Sequence, residues 1–138
     1  MLRTDRRGEV GLRLLDTSLA IWILRGRPDI EDLAVGTPFF LPWVTMAELL
    51  TGAFVSTVAS RDIAAVRSFC QNADVLYPDA GTCEHYGDLA ARLRKKGKPL
   101  PTNDIWIAAL ALQHDMILAT CDPHFQHVPG LKTENWLA

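Results

Sequence analysis

Apolar residues along this chain fall into two patterns: short solid runs, and stripes spaced three and four positions apart. Val10 to Leu15, apolar apart from Gly11 and Arg13, reads as the first strand, stopped by Asp16. A helix follows to about Leu24, with Gly26 as its stop signal. Pro28 to Val35 predicts a short helix with the proline just inside its start. Thr37 to Val44 is short and β-rich, and predicts a strand in spite of Pro42. Thr45 opens a helix whose Met46, Leu49, Leu50 and Ala53 form an apolar stripe. Another helix is expected over Ser60 to Cys70, with Ile63, Val66 and Phe69 inward and Arg61, Asp62 and Arg67 outward. Ala73 to Tyr77 is the third strand, closed by Pro78, and a long helix runs from Gly81 to Lys96, closed by Gly97. The clearest helical period is Asn103 to His114, where Ile105, Ala108, Ala109 and Leu112 recur at i, i+3, i+4 and i+7. Met116 to Thr120 is a buried-type strand, and a last short one is expected near Leu131 to Thr133.

Strands separated by helices imply an α/β fold: a parallel sheet with helices on both faces. Right-handed crossovers then leave every strand end of one polarity on one edge, and ligands collect at the carboxyl edge. Composition changes this picture little. With 49% apolar and 22% charged residues the chain has a globular profile, and 138 residues suit one domain, here 10–138. Met1 to Glu9, with three arginines and little apolar content, is expected to be a loose extension. No apolar run approaches the roughly 20 residues of a membrane span, and no secretory signal is visible. Cys70, Cys83 and Cys121 are odd in number and lack metal-binding spacing, which argues against a disulfide framework or zinc and for a reducing cytoplasm.

Candidate chemistry is acidic. Asp16 follows the first strand, Asp122 follows the fourth, and Glu48 lies one turn into the helix after the second, so all three belong above the carboxyl edge. Asp104 opens a helix preceded by the loop from Gly97 to Asn103, and sheet topology alone does not place it. Each acid also has a structural explanation. Asp16 and Asp122-Pro123 suit helix caps. Thr45-x-x-Glu48 matches a capping box, and Asp104 suits the positive end of a helix dipole. Several carboxylates on one face repel each other, however, unless a cation neutralises them. Oxygen ligands without cysteine favour Mg²⁺ or Mn²⁺ over zinc.

Taken together, Leu14-Leu15-Asp16-Thr17-Ser18, Glu48-Leu49-Leu50-x-Gly52, Asn103-Asp104-x-x-Ile107-Ala108-Ala109 and Thr120-x-Asp122-x-x-Phe125 resemble a PIN domain. Within that family the chain most resembles the VapC-type ribonuclease toxins of toxin–antitoxin pairs, and the ending Val128-Pro129-Gly130-Leu131 with Glu134-Asn135-Trp136 is similar too. The resemblance spans about residues 11 to 137. It implies a three-layer α/β/α fold with about five parallel strands and a metal-dependent endoribonuclease. In that reading Asp16, Glu48, Asp104 and Asp122 form the acidic quartet. Asp16, Asp104 and Asp122 are the direct or water-mediated metal ligands, and Glu48 supports them or a second metal. Thr17, Asn103 and Thr120 occupy the positions of small polar supporting residues. The implied reaction is hydrolysis of RNA phosphodiesters by a water activated by carboxylate-bound Mg²⁺. The implied partners are a cognate antitoxin, a second copy of the chain in a homodimer, and RNA. The extension before Val10 departs from the family, whose members begin close to the first strand.

Arg92, Arg94, Lys95, Lys96 and Lys98 put five cations into seven positions just before the Asp104 loop. They suit RNA phosphates, and equally a solvated helix end complementing the dipole. Trp22, Trp43, Trp106 and Trp136 are read as core or interface residues before base-stacking ones. The histidines His85, His114, His124 and His127 are read as surface or capping groups, and Pro78-Asp79 as a helix-start signal. Two other enzyme and signalling classes are excluded. A haloacid-dehalogenase phosphatase needs an acid two residues after Asp16, where Ser18 stands, and a receiver domain needs an acidic pair and a lysine that are absent. The remaining alternative is a catalytically inactive PIN-like module that only binds protein or RNA, against which the intact quartet argues.

Overall fold

The computed structural model describes residues 11–137, so Val10 and the expected extension Met1–Glu9 lie outside the described residues. Five parallel strands form one sheet: β1 (Arg13–Leu15), β2 (Phe39–Pro42), β3 (Asp74–Leu76), β4 (Ile117–Ala119) and β5 (Thr133–Glu134). Their order is β3-β2-β1-β4-β5. The helices are α1 (Thr17–Leu24), α2 (Pro28–Gly36), α3 (Trp43–Phe54), α4 (Ala59–Gln71), α5 (Ala80–Lys95) and α6 (Thr102–Gln113), with a 3-10 turn at Pro123–His127. The expected alternation is therefore present, mostly within one or two residues at each boundary.

Successive strand residues feed opposite cores, which is why β2 and β4 read as unbroken apolar runs. Leu14 and Leu118 face a cluster that contains Leu89, Leu93, Ile107 and Leu110 from α5 and α6. Leu15, Leu41 and Ala119 face a second cluster with Leu19, Ile30, Leu49 and Val66 from α1 to α4. Three layers result. The helix α6 is buried beyond its expected stripe, since Ile107, Leu110 and Ala111 are also enclosed; only a helix apolar nearly all round tolerates that.

Three expectations need correction. The helix α3 starts at Trp43, two residues before Thr45, with Pro42 at its N-cap and no side-chain cap. Pro42 cannot donate to a sheet, and its fixed φ suits the bend from strand to helix. Thr45 is thus a fully buried helical residue, not a cap, and the capping box with Glu48 does not form. The last strand is Thr133–Glu134 and not Leu131 to Thr133, because it is backbone at Lys132 and Glu134 that bonds to Leu118 and Thr120.

The sequence pattern does not reveal the role of Arg13. It is fully buried in the central strand β1, and its guanidinium reaches across β4 to Glu134 of β5 at 2.9 and 3.3 Å. It also donates to the carbonyl of Gly11. Glu134 in turn accepts from the indole of Trp136 at 2.8 Å, so one ion pair ties the chain's end to its first strand. Removing one partner of such a pair strands the other charge in a low dielectric. Arg13→Ala is expected to lower the free energy of unfolding by about 3–5 kcal/mol in a urea melt. A loss below about 1 kcal/mol, the value of an exposed pair, would show that the pair does not secure the sheet.

Candidate active site

Sheet order fixes where chemistry belongs. The chain leaves β1 toward β2 on one side, while β4 lies on the other, so the carboxyl ends of β1 and β4 border a topological switch point. Leu15 pairs with Ala119 in register, and the next residues, Asp16 and Thr120, emerge side by side. The Asp16 amide still donates to the Ala119 carbonyl at 3.1 Å.

Asp16 is 4% exposed. Its Oδ1 accepts the Leu19 amide at 3.3 Å and the Ser18 hydroxyl at 2.5 Å, and its Oδ2 accepts the Thr120 hydroxyl at 2.5 Å. The first of these is the helix-cap bond expected of it. Burial pushes the Asp16 pKa up, the three hydrogen bonds oppose that, and the charge of Asp122 adds to the rise. Asp122 also caps, accepting the His124 amide at 2.9 Å, with His124 Nδ1 2.7 Å from the same Oδ1.

Glu48 is held differently. The Thr17 hydroxyl donates to Glu48 Oε1 at 2.7 Å, and the hydroxyls of Thr17 and Thr45 lie 3.2 Å apart. A hydroxyl has one proton, so Thr17 gives its own to Glu48 and accepts from Thr45. The sequence places Thr45 in a cap and the tertiary structure places it behind Glu48.

Asp104 lies in the first turn of α6. The α5–α6 pair carries it to the same edge, where Asp122, Glu48 and Asp16 all act on it. Burial first, then those three carboxylates in that order, push its pKa up to about 6, with His124 acting in the opposite sense. All four predicted acids thus share one electrostatic field. Among the described residues, however, no three His, Cys, Asp or Glu side chains converge into a close coordination group. The donor set still fits Mg²⁺ or Mn²⁺ in chemistry. It consists of hard carboxylate oxygens, carries excess negative charge, and suits an ion that commonly uses one or two carboxylates and keeps water as its other ligands.

The other predicted site residues fare unevenly. Thr17 and Thr120 touch the acids, whereas Asn103 is exposed and makes no side-chain hydrogen bond among the described residues. Arg92, Arg94, Lys95, Lys96 and Lys98 are exposed at the end of α5 and in the following loop. None forms an ion pair with the quartet among the described residues, and Arg92 pairs with Asp88 at 3.0 Å. Trp43 and Trp106 pack edge to face at the rim of a core, and Trp136 is buried. Asp79 starts α5 in a capping box with Thr82. Ser18, quoted only as part of the Asp16 run, and His124, read as a surface or capping group, each touch an acid of the site. Only the spacing of Ser18 from Asp16 and of His124 from Asp122, two positions in each case, hinted at them.

The elevated Asp104 pKa has a definite consequence for stability. A carboxyl whose folded pKa lies above its ordinary 3.8 holds its proton more tightly when folded. Its contribution is therefore present at low pH and is lost as pH rises from 3.8 through about 6. Asp104→Asn should remove that loss, and in metal-free buffer at pH 7 it should melt a few degrees above wild type. Differential scanning calorimetry across pH 4 to 7 checks this, and a variant melting far below wild type would contradict it.

Residues 13–131 match the PIN domain family. Over 129 residues the chain is 34% identical to ribonuclease VapC1 of Haemophilus influenzae strain R2866, covering 89% of this chain and 96% of that protein. It is 32% identical over 128 residues to the tRNA(fMet)-specific endonuclease VapC of Shigella flexneri, with coverages of 89% and 96%. A chain of the VapBC-1 structure from nontypeable H. influenzae superposes with a TM-score of 0.83 at 33% identity, covering 92% of this chain and 99% of that one. VapBC-5 from Mycobacterium tuberculosis, of the VapBC family of toxin–antitoxin systems, superposes at 0.70 with 25% identity, covering 91% and 97%. A parallel five-stranded sheet bearing acids at its switch point, matched over nearly its whole length to these proteins, belongs to the PIN-domain family, among the VapC ribonucleases.

Proposed function

We propose that the chain is a metal-dependent endoribonuclease that acts as the toxin of a toxin–antitoxin pair. The observation that carries this reading is that four acids from four separate elements act on one another at one sheet edge, where the charges of Asp122, Glu48 and Asp16 add to the burial that first raises the Asp104 pKa. A fold gains nothing in stability from that crowding, whereas a cation-dependent site requires it. The named ribonuclease relatives support RNA as substrate, and the Shigella protein makes a tRNA a reasonable first one to try.

In this proposal Asp16, Asp104 and Asp122 hold Mg²⁺ or Mn²⁺. When bound, such an ion makes water a stronger acid and offsets charge building on a phosphodiester. The hydroxyl of Thr120 orients Asp16, and Thr17 supplies the proton that engages Glu48 Oε1, leaving Oε2 to accept from water at the substrate. Arg92, Arg94, Lys95, Lys96 and Lys98, exposed where α5 leads into the Asp104 loop, attract the RNA backbone and position it without reading its sequence.

The partner in this proposal is an antitoxin whose tail lies along α3. A groove of about 300 Å³ opens between α1, α3 and α4, with Glu48 at one side and Ile21, Leu24, Leu49 and Val66 on its walls. Beyond it Phe54 at the end of α3 is 62% exposed, and Val55 and Val58 in the turn to α4 are 80% and 42% exposed, so the core leaves these apolar side chains uncovered. An arginine of the tail would fork onto an acid of the quartet.

Two outcomes are expected. RNA cleavage should require Mg²⁺ or Mn²⁺, stop in excess EDTA, and fall at least 100-fold in Asp16→Asn, a loss of about 2.7 kcal/mol in transition-state stabilisation. Undiminished cleavage in EDTA would refute the metal reading. Absence of both cleavage and metal-dependent thermal stabilisation would favour the inactive binding module instead. Separately, Phe54→Asp should weaken the antitoxin complex by about tenfold or more, as loss of an apolar anchor does. Isothermal titration calorimetry measures it, and unchanged affinity would place the partner elsewhere.

A further inference from the structure

Two hydrogen-bond chains run side by side from consecutive amides of the loop after β4 to the two oxygens of Asp16. In one, the Cys121 amide donates to Ser18 Oγ at 3.3 Å, and Ser18 Oγ donates onward to Asp16 Oδ1 at 2.5 Å. In the other, the Asp122 amide donates to Thr120 Oγ1 at 2.9 Å, and Thr120 Oγ1 donates to Asp16 Oδ2 at 2.5 Å. Each hydroxyl uses its one proton toward the carboxylate and a lone pair toward the backbone, so both chains run in the same direction. Thr120 reaches Asp16 from the position just after β4, while Ser18 reaches back to that loop from α1.

We propose that Ser18 is a positioning residue for the metal-binding carboxylate. It is the α1 arm of a two-armed clamp that fixes the plane of Asp16 against the loop carrying Asp122. The inference rests on the metal-dependent reading above. One oxygen held alone leaves a carboxylate free to turn about the bond joining it to the side chain. Two oxygens held by hydroxyls that are each bonded to an amide of the same loop oppose that turn, and the placement of Asp16 against Asp122 is set with it. The Leu19 amide holds Oδ1 as well, at 3.3 Å, but it belongs to α1 itself and cannot register Asp16 against β4. Ser18 is half-buried and sits at the second position of α1, where alanine is also tolerated, so the hydroxyl is not needed for the helix.

The consequence falls on metal affinity. Loss of a group that orients a metal-holding carboxylate lowers affinity by about 10–100-fold. Mn²⁺ binding by the full chain is followed without RNA, through the metal-dependent rise in melting temperature. Ser18→Ala is expected to move the Mn²⁺ midpoint upward by about 10–100-fold, with a metal-free melting temperature close to wild type. Saturating Mn²⁺ should recover most of the RNA cleavage. Ser18→Thr, which retains the hydroxyl, should restore the midpoint. Ser18→Cys, of similar size but a weak donor, should behave as alanine and serves where alanine lowers the folded yield. A midpoint unchanged in both alanine and cysteine variants overturns the clamp while leaving the metal site standing. So does a lowered metal-free melting temperature with an unchanged midpoint, the mark of a purely structural hydroxyl. No Mn²⁺ stabilisation of wild type would overturn the metal site itself, and the inference with it.

Discussion

A carboxylate almost wholly removed from water must find its hydrogen bonds inside the protein, and the architecture of this chain turns on meeting that demand at Asp16. Burial disfavours its charged form, and donors from α1 and from the end of β4 oppose that penalty. The Thr120 donor is in place only because β1 and β4 are adjacent, parallel and in register, with Leu15 opposite Ala119. Sheet order, register and site geometry are in this sense one constraint. Strand order at the switch point brings Thr120 beside Asp16, and the turn into α1 brings Ser18 round to the same carboxylate.

The same side chains serve the helices and the site without conflict. A helix cap consumes one lone pair, and a carboxylate has several, so Asp16 and Asp122 cap their helices and still present oxygen to the cluster. Reading such acids as either structural or functional poses a false choice. Glu48 shows the contrast: it makes no cap, and its bond to Thr17 comes from another helix altogether.

Repulsion among the acids is held in place by the apolar layers beneath them. The cores on the two faces of the sheet enclose β1 and β4 completely, and the Arg13–Glu134 pair joins the central strand to the edge strand. That frame bears the electrostatic cost at the edge without opening. Along α3 the apolar residues divide between frame and surface, with Leu49 and Ala53 inward and Phe54 exposed.

The sequence by itself determined the alternation of strands and helices, because solid apolar runs and three-four stripes are local consequences of burial on both faces or on one. It also determined that Asp16, Glu48 and Asp122 follow strands, and so which edge they occupy. Boundaries and partnerships were another matter. Thr45-x-x-Glu48 has the spacing of a capping box, and only the bend at Pro42 decided that the helix begins earlier and turns both residues to other partners. Arg13 carries no local sign of its partner, which β5 supplies by bringing Glu134 within 2.9 Å at a separation of 121 positions. Asp104 had no place until α5 and α6 packed together and delivered it to the cluster. Ser18 carried no signal beyond its nearness to Asp16, since a hydroxyl's role depends on the donor and acceptor that the fold sets on either side of it. Periodicity is written in neighbouring residues, whereas hydrogen bonds and charge coupling across the sheet are decided by which distant segments the strand order makes adjacent.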